Sequence, residues 1–235
     1  MDITREEIGN EEVYDKILEV VKKRSKGFGK FFKKTFSSEE AAQITELALG
    51  LMEIKNLDFL RYLPNLEEID FHDVTGLSHI TGLCRAPRLR WVTFWNTDIP
   101  NLEEIAECRN LDFFAYECDE GYEHCAKSDF SFLKLLPNLT GINLEGNPLT
   151  DVECLVSCSQ LKEIALVRCP VRTIAPLQEL QHLTHLDLSH CGLRELEDLE
   201  KFPSLEVVSV EEEAITEEQI AYYRSICEGV DIFTI

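Results

Sequence analysis

Residues 139–160 read LTGINLEGNPLTDVECLVSCSQ, residues 161–182 read LKEIALVRCPVRTIAPLQELQH, and residues 183–204 read LTHLDLSHCGLRELEDLEKFPS. Laid over one another, the three put leucine-type residues at the same six places. They fall at Leu139, Ile142, Leu144, Leu149, Val152 and Leu155, then at Leu161, Ile164, Leu166, Val171, Ile174 and Leu177, then at Leu183, Leu186, Leu188, Leu193, Leu196 and Leu199. A fixed period of this length marks a repeat architecture, in which one unit cannot bury its own apolar edge and stacking does so.

The frame also runs backwards. Leu89, Val92, Phe94, Ile99, Leu102 and Ile105 make one unit, and Ile44, Leu47, Leu49, Ile54, Leu57 and Leu60 make the earliest. Leu66, Ile69 and Phe71 start a unit one residue longer than the 22-residue norm. Leu111, Phe114 and Tyr116 open one of 28 residues, and Leu205, Val208, Val210 and Ile215 open the last, partial one. This pattern resembles the leucine-rich repeat family, in the 22-residue type of internalins and phosphatase-regulating repeat proteins. The resemblance covers about residues 44–215. It implies an α/β solenoid: a right-handed horseshoe with a parallel concave sheet built from the LxxLxL pieces and a convex side of short 3-10 or turn segments.

The family's asparagine slot is filled by Asn147 but elsewhere by Cys169, Cys191, Met52, Val74, Thr97, Asp119 and Glu213. A thiol can serve there as a small buried donor. Cys108 and Cys158 stand where leucine is expected. Nine cysteines, an odd number without compact spacing, read as reduced buried thiols of a cytoplasmic protein.

The ends of a solenoid need covering. Residues 1–43 are expected to form an N-terminal helical cap. Ile8, Val13, Ile17 and Val21 lie near helical spacing over residues 5–24, acids early and bases late, and Ser37 then opens a second helix. Residues 216–235 are expected to form a C-terminal cap. A capping-box-like start at Thr216 opens a helix lined by Ile220, Tyr223 and Ile226, and VDIFTI follows as a closing strand.

Side chains alternate across a strand. With the first leucine of a unit as position 1, positions 3, 5 and 7 face out from the sheet. Trp91 and Trp95, the chain's two tryptophans, are thereby placed outside, with Val92 and Phe94 inside. Phe113 is expected beside Trp91, with Glu68, Asp70 and His72 on one side and Glu117 and Glu145 on the other. Glu163, His185 and Asp187 extend the same face. Apolar anchors ringed by charge have the anatomy of a binding hot spot. The other reading is that the protein's own insertion or arm covers the aromatics.

The insertion, residues 117–129, reads ECDEGYEHCAKSD. Asp119, Glu120, Tyr122 and Glu123 are candidate contacts, because loops that leave a regular repeat often carry function. Cys118, His124 and Cys125 lack the paired spacing of a zinc site, and no metal or cofactor is expected.

The net charge is −21. Residues 22–34, KKRSKGFGKFFKK, carry seven bases and no acid, whereas from residue 35 onward there are 14 Lys/Arg against 37 Asp/Glu. An acidic body repels nucleic acid and attracts basic partners. The basic arm from Lys22 to Lys34 has three readings: docking on its own acidic body, contact with an anionic membrane through Phe28, Phe31 and Phe32, or binding of nucleic acid. No apolar run is long enough to span a membrane, and the acidic start MDITREEIGNEEVYD has no secretory core.

No catalytic motif is present, and His185, Asp187 and Ser189 on one strand do not supply a triad's pocket. The expectation is a non-catalytic module, monomeric by itself, that binds a basic protein partner as an inhibitor or immunity protein against a toxin or effector. The alternatives are a scaffold or regulatory subunit of an enzyme complex, and a peripheral membrane adaptor acting through the arm.

Overall fold

The computed structural model describes residues 2–25, 33–196, 199–211, 215–227 and 229–234. The middle of the basic arm and Glu213 lie outside the described residues. The chain divides into two compact units, Met1–Asn110 and Leu111–Ile235.

In the first unit, β1 (Asp2–Ile3) pairs antiparallel with β2 (Phe36–Ser37). The apolar residues of 5–24 occupy two helices, α1 (Arg5–Ile8) and α2 (Glu11–Arg24), rather than the single one expected. The break falls at Gly9, whose φ of 73° is left-handed, and at Asn10, whose side chain accepts from the Val13 amide at 3.1 Å and restarts the helix. α2 buries Val13, Ile17 and Val21, and also Tyr14 and Leu18. A capping box at Ser37 and Glu40 opens the short α3 (Ser38–Ala41). The repeats follow as three parallel strands, β3 (Glu46–Gly50), β4 (Glu68–His72) and β5 (Trp91–Trp95). Each returns through a 3-10 turn: Asp58–Tyr62, Thr81–Arg85 and Leu102–Glu107.

In the second unit, β6 (Phe113–Glu117), β7 (Gly141–Asn143), β8 (Glu163–Ala165), β9 (His185–Asp187), β10 (Val207–Val210) and β11 (Asp231–Thr234) pair in parallel in chain order. One return segment is a short helix, α4 (Glu153–Val156). A capping box from Thr216 and Gln219 opens α5 (Glu217–Ile226). α5 buries Ile220 and Tyr223, while Ile226 stays 36% exposed, outside the face expected for it.

All eight repeat strands start at position 3 of their unit. Positions 4 and 6 fill the core: Val92 and Phe94 are fully buried, and the Phe71 and Phe94 rings stack with centroids 5.1 Å apart. The end of the strand is also periodic. Position 8 is left-handed at Leu51, Asp73, Asn96, Gly146, Arg168 and His190. Only one of these six is glycine, so the others hold a conformation that L-residues disfavour. The backbone ladder extends over this turn, because the position 8 amides of Leu51, Asp73, Gly146 and Arg168 donate to His72, Trp95, Val167 and Ser189 of the next repeat.

The asparagine slot shows why its substitutes work. Asn147 donates through Nδ2 to the Tyr116 carbonyl at 2.7 Å. Cys169 Sγ donates to Leu144 O at 3.1 Å, Cys191 Sγ to Leu166 O at 2.9 Å, and Thr97 Oγ1 to Phe71 O at 3.4 Å. Each acceptor is the position 6 carbonyl of the preceding repeat, a buried group that would be costly to leave unpaired. Burial pushes the two thiols up, to about 11 for Cys169 and about 12 for Cys191, which keeps them protonated donors. Asp119 departs from the slot's role and pairs with Arg168 at 3.2 Å instead.

Candidate functional site

The outward residues of the first unit form a small grid whose rows follow from the strand register. Glu46 lies beside Glu68 and Glu68 beside Trp91; Ala48, Asp70 and Thr93 make the middle row; Gly50, His72 and Trp95 make the last. Trp91 is 40% exposed and Trp95 37%, the two outer residues of a strand whose inner residues are buried. The indole of Trp91 donates to Thr93 Oγ1 at 3.2 Å. Trp95 meets His72 edge-on, with ring centroids 5.0 Å apart and planes at 70°. Burial raises the Glu68 carboxyl above its ordinary value, with Asp70 and then Glu46 adding to the rise. This grid contains no Lys or Arg, so an incoming cation would relieve the repulsion among its acids.

The second unit offers a different surface. A cleft of about 290 Å³ lies over β6–β10, with Phe113, Ala165 and Val207 as apolar lining and Glu163, His185 and Asp187 as polar lining. Phe113 lies over Gly141, where a Cβ would come within 2.6 Å of its ring. Most acids here already have partners. Arg168 reaches Glu145 at 3.1 Å and Asp119 at 3.2 Å, and also donates to the Cys118 carbonyl. His190 lies 3.4 Å from Glu211. The Glu145 carboxyl is nonetheless raised, because burial outweighs Arg168, and Asp119 and Asp187 add like charge.

Several expectations change here. Glu145 was expected as an open contact and is instead held by an arginine of the next repeat. Arg168 was missed by the sequence reading, although its place directly after an outward position was visible. Ser189 is outward by register but buried, because its hydroxyl turns back to donate to Asp187 at 2.6 Å. Ala115 is likewise buried. His185 bonds Thr184 Oγ1 at 2.9 Å, so Ser189, Asp187 and His185 form no serine–histidine relay.

The insertion is built into its unit. Cys118 and Cys125 are buried, Tyr116 donates its hydroxyl to Cys125 O at 2.9 Å, and the Lys127 amide donates to Asn147 Oδ1 at 2.8 Å. A Cβ on Gly146 would lie 1.7 Å from Cys118 O, so the chain crosses there at contact with bare backbone. Glu120 and Glu123 remain exposed, and Tyr122 stacks on His124 with centroids 5.9 Å apart. Among the described residues no His/Cys/Asp/Glu cluster has metal-binding geometry, and no helix is long and apolar enough to cross a membrane. On the described flanks of the basic arm, Lys23 pairs with Glu19 at 2.7 Å and Lys33 with Glu40 at 2.8 Å, and Arg24 donates to the Gln43 carbonyl.

One inward and one outward face per strand, a left-handed exit at position 8 and a buried donor at position 9 together define a leucine-rich-repeat fold. Solved structures agree. An internalin (inlF) from Listeria monocytogenes superposes with a TM-score of 0.69 at 18% identity, covering 97% of this chain and 63% of that one. An internalin C2 (inlC2) from the same species gives 0.53 at 16%, covering 85% of this chain and 92% of its own. A leucine-rich-repeat protein from Leptospira interrogans gives 0.56 at 18%, covering 88% and 53%. The chain thus spans less than two thirds of the inlF and Leptospira chains. No protein-family model and no curated protein matches it.

Proposed function

We propose that this chain is a non-catalytic protein-binding module whose exposed sheet face takes a partner with a basic surface. The observation that carries this is the pair Trp91 and Trp95, 40% and 37% exposed on one strand beside Glu68 and Asp70. Exposed indoles among carboxylates supply both an apolar anchor and attraction for Arg or Lys, with cation–π contact available to the same groups. The charge of −21 supports steering of a cationic partner and opposes nucleic acid as the ligand. A small acidic repeat module of this kind suits an inhibitor, of the immunity type, for a cationic toxin or effector. Seven of nine free cysteines are buried, which suits a reducing cytoplasmic setting.

Because both tryptophans lie on the proposed face, intrinsic emission reports on it directly. Titration with an arginine-rich peptide at low salt is expected to shift that emission, and an oligoglutamate peptide is not. High salt should weaken the response. Calorimetry of Trp91→Ala/Trp95→Ala is expected to show at least tenfold weaker binding. Equal binding by the double variant would remove the aromatic anchor, and equal response to both peptides would remove the basic partner. Once a natural partner is captured, its activity in the complex separates inhibition from scaffolding.

A further inference from the structure

The buried thiols at repeat positions mostly bond to backbone: Cys158, Cys169 and Cys191 each donate to a carbonyl of the preceding repeat. Cys84 and Cys108 differ. Cys84 closes the 3-10 turn Thr81–Arg85 after β4, and Cys108 follows the turn Leu102–Glu107 after β5. Their sulfurs lie 3.1 Å apart. Cys84 is exposed and Cys108 is 8% exposed, so one thiol meets solvent while the other waits behind it. We propose that Cys84 and Cys108 form a peroxide-responsive dithiol, in which exposed Cys84 is oxidised first and buried Cys108 resolves it into a disulfide that ties the two repeats bearing His72 and Trp95.

The arrangement meets the three needs of such a pair. The attacking sulfur must be reachable and prone to ionise. Here the hydrogen bond from Cys108 holds Cys84 below its ordinary value, against burial and the charge of Glu107, and the same bond together with burial holds Cys108 up. The resolving thiol must be within reach, and closing from 3.1 Å to a bond of about 2.05 Å takes about 1 Å of movement. The chemistry must balance. The Cys84 thiolate attacks a hydroperoxide oxygen; the S–O bond forms, the O–O bond breaks, and hydroxide or alkoxide leaves and takes a proton. The Cys84 sulfur is oxidised by two electrons to sulfenic acid and the peroxide is reduced. Cys108 then attacks that sulfur; the S–S bond forms, the S–O bond breaks, and hydroxide leaves as water with the proton Cys108 gives up. A thiol reductant reverses the bond.

The test uses the full chain, reduced, freed of reductant and treated with a few equivalents of hydrogen peroxide. Free thiols are then blocked and peptides mapped without reduction. The expected product is one linked peptide pair, Cys84 with Cys108, two hydrogens lighter than the reduced pair and split by dithiothreitol. In Cys108→Ser, Cys84 should be trapped as sulfenic acid by dimedone in at least tenfold higher yield than in wild type. Recovery of both cysteines as free thiols, linkage of either to another cysteine, or passage of Cys84 to sulfinic acid without linkage would overturn the proposal. Cys84→Ser, at an exposed position, guards against a misfolded Cys108→Ser: it should abolish the linked pair while leaving the thermal transition in place. None of these readouts depends on partner binding.

Discussion

The outward faces of β3–β5 and of β6–β10 are written in the same register and are both rich in acid, yet they differ in how that acid is held. In the second unit Arg168 gathers Asp119 and Glu145, the His190 ring lies 3.4 Å from Glu211, and Asp187 accepts from the Ser189 hydroxyl. Over β3–β5, Glu68 lies in register beside the exposed Trp91, with Glu46 next along the same row and Asp70 in the row between the two indoles, on a grid without Lys or Arg. In the first arrangement these acids are held by side chains of their own unit. The second is poised for a cation from outside, which is why the proposed function rests on it.

The largest effect expected is on the division between inner and outer residues of β5. Phe94→Ala should cost about 3–5 kcal/mol in urea denaturation, the range for removing a large buried ring. Trp95→Ala, one residue on, should cost less than about 1 kcal/mol and act mainly on binding. Similar costs for the two would break the assignment of faces.

Position 8 gives the next contrast. Gly146→Ala puts a Cβ at 1.7 Å from Cys118 O on a residue with φ of 73°. We expect a loss of about 2–4 kcal/mol, from left-handed strain together with overpacking. Leu51→Gly, at the equivalent place in the first unit, should instead stabilise by about 1 kcal/mol, since Leu51 has φ of 55° and is 85% exposed. Thermal unfolding of both variants checks the opposite signs.

Arg168→Ala should turn the second unit's acids into the first unit's kind. Glu145 would keep its burial and lose its cation, so its carboxyl should rise further, at a cost of about 1–2 kcal/mol at neutral pH. Most of that cost should fade as the pH drops and Glu145 takes a proton. Loss of the same size at all pH values would mean Arg168 acts by packing alone.

The smallest effect is at Glu68. Its folded carboxyl is raised, so the ionised form costs stability; that cost is complete above the folded value and disappears as the pH falls below the unfolded one. Glu68→Gln should stabilise the protein by no more than about 0.5 kcal/mol at pH 7 and by nothing at acidic pH. It should also weaken binding of a cationic peptide, the opposite direction from its effect on stability.

Much of this was legible without coordinates. The 22-residue frame placed the start of each of the eight repeat strands, because the apolar positions that must be buried recur with the chain's own period. It also put Trp91 and Trp95 outside and allowed a thiol to replace asparagine as a buried donor. The break at Gly9 was visible as a glycine before asparagine, but the helical spacing on both sides masked it. Arg168 was not legible as a partner of Asp119 and Glu145, since 49 and 23 residues separate it from them. The meeting of Cys84 and Cys108 likewise appears only once two repeats of unequal length are stacked.

The sequence by itself determined the repeat, its inner and outer residues and the sign of its charge, because each of these follows from local period and composition. Only the tertiary structure decided which acids are neutralised, which outward residues turn back into the fold, and which two thiols touch. Those outcomes depend on distances between side chains of different repeats, and a pattern that fixes each repeat separately does not contain them.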